Sequence, residues 1–308
     1  MSYAQRLDNI YVLDTKMFDF EHYCTAYLVK GKEIALIDTG LPNQTETVRA
    51  AIRSHGFPIN AISYIFITHC EHWDHSGNVA PLLRDNPGAS VYIHPEGLKY
   101  LTDTYIERDL KKKVMPPEMS ARFGEMEPVP QSRIKLLNDG DVFDLGNGEY
   151  LRVIFAPGHQ PSGIVLLEEK NKGLFINDLV GNCFADANAH YALNPVRSDH
   201  MQAIESLKKL MKLPVDNLYL GHYGISGKPR QVMTRAIEFM QQLLDIGMKY
   251  VREGKPERIA GEVYAVILPE LKKLGAARDE AVYQYATGEH VLSQSKFFAR
   301  YCQEKFGK

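Results

Sequence analysis

The sequence predicts an α+β chain with a helical C-terminal appendage. Strand-length apolar runs alternate with helical patterns in the first part, hairpin-like runs return between residues 141 and 177, and beyond about residue 228 the pattern is helical alone. At 308 residues the chain is long enough to bury a sizeable core. We expect one mixed domain over residues 1–227 and a helical cap over residues 228–308 packed on it.

Three β-type runs open the chain, Asn9 to Leu13, Cys24 to Lys30 and Glu33 to Asp38, separated by turn-prone residues such as Gly31. A helical stretch around Thr45 to His55 follows, then Ile62 to Thr68, a nearly unbroken apolar run expected to be buried on both faces. His75 to Arg84 reads as a helix and Ser90 to His94 as a strand. Residues 95–130 form a longer excursion with Pro116-Pro117 and the basic run Lys111 to Lys113, placed to act as a lid. Strands are predicted again at Val142 to Leu145, Tyr150 to Ala156, Gly163 to Glu168 and Gly173 to Asn177, with turns at Gly146-Asn147-Gly148 and Asn171-Lys172-Gly173.

Ser198 can cap a helix whose apolar face is Met201, Ile204, Leu207 and Met211, and Asp216 to Leu220 reads as the last strand. In the tail, Val232, Ala236, Phe239, Leu243 and Tyr250 keep one helical face, and segments near Ile259 to Leu274 and Asp279 to Cys302 continue the pattern.

With 36 Lys and Arg against 38 Asp and Glu, the net charge is −2, which leaves no basic field for nucleic acid or anionic lipid. No basic-then-apolar leader opens the chain, and no run approaches the roughly 18 apolar residues of a membrane span. Cys24, Cys70, Cys183 and Cys302 form no CxxC pair and fit reduced thiols. We expect a cytoplasmic protein acting on a small molecule, with no nucleic-acid or membrane partner and with a homodimer allowed.

Directly after the Ile62 to Thr68 strand comes Thr68-His69-Cys70-Glu71-His72-Trp73-Asp74-His75-Ser76-Gly77, three histidines and two carboxylates within seven residues. Imidazole and carboxylate together suit Zn²⁺, Fe²⁺ or Mn²⁺, and a loop lets residues two or three apart face one or two ions. Further candidate ligands sit at later strand ends, where such folds gather their sites: His159 in Ala156-Pro157-Gly158-His159, Asp178 in Phe175-Ile176-Asn177-Asp178, and His222 in Tyr219-Leu220-Gly221-His222. There is no G-x-S-x-G elbow and no P-loop.

This ordered set resembles the metallo-beta-lactamase-fold superfamily, whose pattern is a THxHxDHxGG block, then PGH, an Asp after a strand, and a final GH. The resemblance spans roughly residues 9–225 and implies a four-layer αββα sandwich. Leu36-Ile37-Asp38-Thr39-Gly40 is similar to the superfamily's IDTG turn, which implies a supporting role for Asp38 beside the site. Carried over, the pattern implies that His69, His72 and His159 hold one ion and Asp74, His75 and His222 a second, with Asp178 between. It implies two divalent ions, zinc first, with iron or manganese as alternatives.

One departure stands in the first block. The superfamily places one residue between its first two histidines, whereas Cys70 and Glu71 both lie between His69 and His72. Either the loop bulges and both histidines ligate, or Glu71 or Cys70 takes a ligand position. Flavodiiron proteins, which share this fold, carry HxExDHxG and two irons; His69-Cys70-Glu71 and Asp74-His75-Ser76-Gly77 resemble the two ends of that block. Those proteins also carry a flavodoxin domain, and no phosphate-binding loop of that kind is visible here.

The helical tail and the excursion look like those of small-molecule hydrolases of the superfamily, among them glyoxalase II, the acyl-homoserine lactonases and the PqsE-type thioesterase. This resemblance implies cleavage of a small ester, thioester or lactone, with a phosphodiester allowed, by a metal-activated hydroxide; Asp74 serves as general acid and base. A diiron redox or oxygen-binding protein with Glu71 as ligand is the second reading. Tyr223 is a candidate donor to the substrate oxygen, His190 and His200 are expected at the surface or beside the site, and Trp73 is expected to pack against the metal loop.

Overall fold

The computed structural model describes residues 6–106, 108–109, 117–193, 197–277 and 291–307. The Lys111 to Lys113 run lies outside the described residues, as does the predicted helix from Asp279 as far as residue 290.

The first sheet takes its strands in chain order: β1 (Arg6–Leu7), β2 (Ile10–Asp14), β3 (Thr25–Lys30), β4 (Ile34–Ile37), β5 (Ile62–Phe66), β6 (Ser90–Ile93) and β7 (Ile134–Leu136). The first four pair antiparallel; β4 to β7 pair parallel. Each parallel pair needs a crossover. These are supplied by α1 (Thr45–Ser54), by α2 (Trp73–Ser76) with α3 (Val79–Asp85), and by the excursion with α4 (Leu98–Thr102) and α5 (Pro117–Phe123). The expected single helix from His75 to Arg84 is thus two, parted at Gly77-Asn78, where an added Cβ on Gly77 would strike Pro42.

The second sheet comprises β8 (Val142–Gly146), β9 (Glu149–Phe155), β10 (Ile164–Glu168), β11 (Gly173–Asn177), β14 (Asn217–Leu220) and β15 (Ile225–Ser226). β8 to β11 form the expected antiparallel hairpins, and β14 then pairs parallel with β11. Between those two strands lie a small hairpin of β12 (Asn182–Phe184) and β13 (Ala189–Tyr191) and the helix α6 (His200–Leu210). The tail is α7 (Pro229–Arg252), α8 (Ile259–Ala277) and α9 (Val291–Phe306).

Side-chain alternation along β3 and β4 divides the interior. Tyr27, Val29, Ala35 and Ile37 face the second sheet, where the Tyr27 ring meets Phe175 edge-on at 5.3 Å, while Ala26, Leu28, Ile34 and Leu36 face α1 and α3. The inner strands of the second sheet, β10, β11 and β14, are buried on both faces, and the sheet shares one continuous core with α6 to α9. The chain is therefore the predicted α+β sandwich of two sheets between helices, with a helical C-terminal part.

Two local expectations change. The cap of α6 is Asp199, whose carboxylate accepts from the amides of Met201 and Gln202, rather than Ser198, and Met201 is exposed. His190 and His200, expected at the surface or beside the site, are both buried, which removes the surface alternative, while His200 lies within electrostatic reach of His159. His190 is bonded to the carbonyl of Val180 at 2.7 Å, and His200 packs on Phe298 at a ring distance of 4.7 Å. Burial holds both imidazoles neutral, down to about 4 and about 3.

Candidate metal centre

The candidate ligands leave the sheets at the carboxyl ends of β5, β9, β11 and β14 and meet at one point. Two clusters share His69: His69, His72 and His159 offer ligand atoms within 4.8 Å of one another, and so do His69, Asp74 and His75. Asp178 ties the rest together. Its Oδ2 lies 3.2 Å from Nε2 of His75, 3.8 Å from Nε2 of His159 and 3.7 Å from Nε2 of His222. Nε2 of His75 is also 3.9 Å from Asp74 Oδ2.

Glycines make room for this packing. A Cβ on Gly221 would come within 2.2 Å of Asp178 Oδ1, and one on Gly158, at a φ of +138°, would press on the Ala203 backbone at 2.3 Å. The Pro157-Gly158-His159 turn is held by α6, since the Asp199 amide donates to the Gly158 carbonyl at 2.8 Å and Ser206 Oγ donates to that of Pro157 at 2.7 Å.

The other nitrogens of the imidazoles are fixed from behind. Nδ1 of His75 bonds Asp38 Oδ2 at 3.1 Å, and Nδ1 of His222 bonds the carbonyl of Tyr23 at 3.0 Å, so both rings turn Nε2 to Asp178. Asp38 sits at φ +60°, which aspartate tolerates. Its carboxylate also accepts from the Thr68 amide at 2.9 Å, the Thr68 hydroxyl at 2.8 Å and Asn177 Nδ2 at 2.9 Å. Asn177, itself at φ +51°, was not singled out in the sequence; an asparagine at a strand end beside a candidate ligand is the signal that could have found it.

The electrostatics without metal separate the imidazoles. Burial, with the neighbouring histidines, drives His69 well below the ordinary range, and burial takes His72 down to about 3. Burial would lower His75 too, but Asp178, Asp74 and Asp38 outweigh it and hold it well above the ordinary value. Asp178 is opposed by burial yet kept well below the usual carboxylate range by His75 and His222. Without metal the cluster thus sets the neutral imidazoles of His69 and His72 beside an ionised Asp178 paired with His75.

Several of these atoms are buried with no hydrogen-bond partner among the described residues: both ring nitrogens of His69, Oδ1 of Asp74 and Oδ1 of Asp178. Such atoms are rare in folded proteins because each carries a desolvation cost. Their convergence, as an N and O donor set, fits divalent cations of the zinc, iron or manganese type.

The extra residue of the first block is taken up by a bend at residues 70–72. Cys70 and Glu71 are both buried and both turn away from the cluster. The Cys70 thiol lies against Gly97, where an added Cβ would be 2.6 Å from Sγ, and the Glu71 carboxylate is bonded to Ser162. Trp73 is buried in the helical side of the first sheet. Tyr223 is 4% exposed, its ring stacked 4.1 Å from that of His22, which is paired with Asp186. At the rim, the guanidinium of Arg197 lies over the Tyr100 ring at 5.1 Å, and its charge contributes to the lowering of His72. Ser162 and Arg197, like Asn177, were not singled out in the sequence, and neither lies in a motif that would have marked it.

Comparison with known proteins matches residues 20–222 to the family model described as the metallo-beta-lactamase superfamily. Among curated proteins, the chain is 29% identical over 162 residues to a flavo-diiron protein of Clostridium acetobutylicum, covering 52% of this chain and 34% of that one. It is 26% identical over 188 residues to a lactamase-like protein of Aspergillus fumigatus, covering 60% of this chain and 44% of the other. The chain therefore spans less than half the length of these relatives. Among solved structures, an archaeal metallo-beta-lactamase superfamily protein from Sulfolobus tokodaii superposes with a TM-score of 0.64 at 25% identity, covering 77% of this chain and 86% of that one. A metallo-beta-lactamase family protein from Thermus thermophilus does so at 0.67 and 19% identity, covering 97% and 94%. Among the described residues, no helix is long and apolar enough to cross a membrane.

Proposed function

The chain belongs to the metallo-beta-lactamase superfamily, and from that premise we propose that it is a two-metal hydrolase of a small ester, thioester or lactone. The observation that carries this reading is the convergence of three imidazole Nε2 atoms on Oδ2 of Asp178, beside buried ligand atoms with no hydrogen-bond partner among the described residues. His69, His72 and His159 would hold one ion, Asp74, His75 and His222 the other, and Asp178 both. Ions held there supply an activated water at neutral pH and polarise the scissile carbonyl.

The chain's own groups do the rest. Asp74 takes the proton of the attacking water at a carboxylate oxygen and returns it to the departing alkoxide or thiolate. Asp38 and the Tyr23 carbonyl hold His75 and His222 in the tautomer that leaves Nε2 free. Arg197 brings positive charge to the His72 side of the site, which favours a substrate with an anionic group beside the scissile bond.

A second reading, a diiron redox protein, draws on the flavo-diiron relatives. The position of Glu71 weighs against it, because the carboxylate is engaged by Ser162 and not by the cluster. The two readings part on one experiment: metal content by mass spectrometry after purification without added metal, with aerobic and anaerobic absorption spectra. About two zinc or manganese ions, and turnover of a thioester, ester and lactone panel without reductant, are expected. Two irons with an oxygen-sensitive spectrum and no hydrolysis would overturn the hydrolase reading.

A further inference from the structure

The loop that carries His69 and His72 and the loop that carries His159 are separate in sequence, yet their imidazoles pack within ring distances of 4.7 to 5.8 Å. Glu71, one of the two residues that lie where the superfamily's spacing has one, bonds the first loop to the second. The Glu71 side chain is fully buried, and it reaches 91 residues along the chain to Ser162. Oε1 accepts from the Ser162 amide at 3.0 Å, and Oε2 accepts from the Ser162 hydroxyl and from the Cys70 amide at 3.1 Å. Ser162 Oγ in turn accepts from the Cys70 amide at 3.1 Å.

We propose that Glu71 and Ser162 form a clamp that fixes the spacing of His69, His72 and His159, making Glu71 a positioning residue for one metal position and not a ligand. The inference rests on the two-metal reading above. Its physical basis is that a buried carboxylate with three donors is a strong, directional anchor. A bulged loop of flexible bends would otherwise let the histidines spread, and ligand order controls affinity. The residue inserted between the first two histidines therefore supplies the rigidity that a shorter loop has by geometry. Cys70, the other residue between the two histidines, fills the space over Gly97.

The clamp and a ligand role for Glu71 predict different variant patterns. The full chain, stripped of metal, is titrated with Zn²⁺ against a chromophoric chelator, and both dissociation constants are read along with the melting temperature of the metal-free protein. With Glu71→Ala, one of the two ions is expected to bind roughly 10- to 100-fold more weakly, the range found for outer partners of metal ligands. The other ion should stay within about threefold. Ser162→Ala, which leaves every candidate ligand intact, should weaken the same ion in the same direction. Glu71→Gln can still accept from the Ser162 amide and donate to Ser162 Oγ, but it sets its amide hydrogens against the Cys70 amide, so its affinity should lie between those of the parent and Glu71→Ala.

Two results would overturn the clamp: Glu71→Ala binding both ions as the parent does, or Ser162→Ala doing so, and the latter together with loss of an ion in Glu71→Ala would make the carboxylate itself a ligand. Should Glu71→Ala not fold, Ser162→Ala decides the question. A parent protein that takes up no more than one Zn²⁺ would overturn the two-metal reading and the clamp with it. A parent that takes up two, with unaffected variants, overturns the clamp alone.

Discussion

Oδ2 of Asp38 lies 3.1 Å from Nδ1 of His75, on the side of the ring opposite Asp178. The same carboxylate gathers the Thr68 amide and hydroxyl and Asn177 Nδ2. One side chain thus fixes the end of β5, the end of β11 and the tautomer of a candidate ligand. Asp38→Asn replaces an acceptor-only group with one that brings two hydrogens against these donors. Zn²⁺ affinity, read by chelator competition, should fall roughly 10- to 100-fold, and an unchanged affinity would remove Asp38 from any role in the centre.

Asp178 stands at the other side of that imidazole and is shared with His159 and His222. Asp178→Ala should cost one ion and lower any hydrolytic rate by at least about 100-fold, more than loss of an outer partner does. Metal counting on the purified variant checks this directly. Two ions retained with full rate would dispose of the shared-carboxylate arrangement.

The strand ends that gather this centre were legible in the sequence because ligand-type residues at the ends of strand-length runs carry their own signal. His159, Asp178 and His222 stand where the apolar pattern stops. The 70–72 bend was not legible, since the choice among His69, Cys70 and Glu71 depends on Ser162 and Gly97, partners far along the chain. That His200 is buried and not at the surface was not legible for a related reason. Its exposure is set by α9, which packs Phe298 and Tyr301 on the ring, and not by the polar residues beside it in sequence. The β12 and β13 hairpin was missed because its strands are three residues long, too short for a period to register.

Cys70→Ser separates packing from ligation. The thiol is fully buried, and burial beside Glu71 pushes its pKa well above the ordinary value, so it remains a neutral group against Ser162 and Gly97. Serine would bury a hydroxyl there and lower stability by about 1–3 kcal/mol, while the metal content stays that of the parent. Loss of an ion in Cys70→Ser would place the sulfur among the ligands.

At the far end of the second sheet, Glu149 is buried beside Glu168, and Asn9 Nδ2 donates to its Oε2 at 2.6 Å. Burial first, then the charge of Glu168, raises Glu149 from 4.5 to about 7, against the opposing charge of Lys170. The folded chain therefore holds a proton that the unfolded chain gives up. The resulting stability is fully present below about pH 4.5 and is lost as the pH rises through about 7. The buried neutral imidazoles of His69, His72, His190 and His200 give the metal-free protein an opposite slope over the same window, so Glu149 is read by difference: Glu149→Gln, which cannot ionise, should gain in melting temperature relative to the parent as the pH rises from about 4.5 to about 7. Parallel curves for parent and variant would show that the proton is not held.

Arg197 tests the substrate side. Its guanidinium is half-buried over Tyr100, which limits its movement, and its field reaches His72. A fixed cation at that rim interacts with the part of a substrate that does not react, so its loss should weaken binding more than it slows chemistry. Arg197→Ala is expected to raise KM roughly tenfold, about 1.4 kcal/mol, for esters or thioesters that carry a carboxylate near the scissile bond. kcat should stay within about threefold, and the kinetics of neutral analogues should be unchanged. Charged and neutral substrates assayed in pairs check this. An equal loss for both would mean that Arg197 supports the loop and not the substrate's charge.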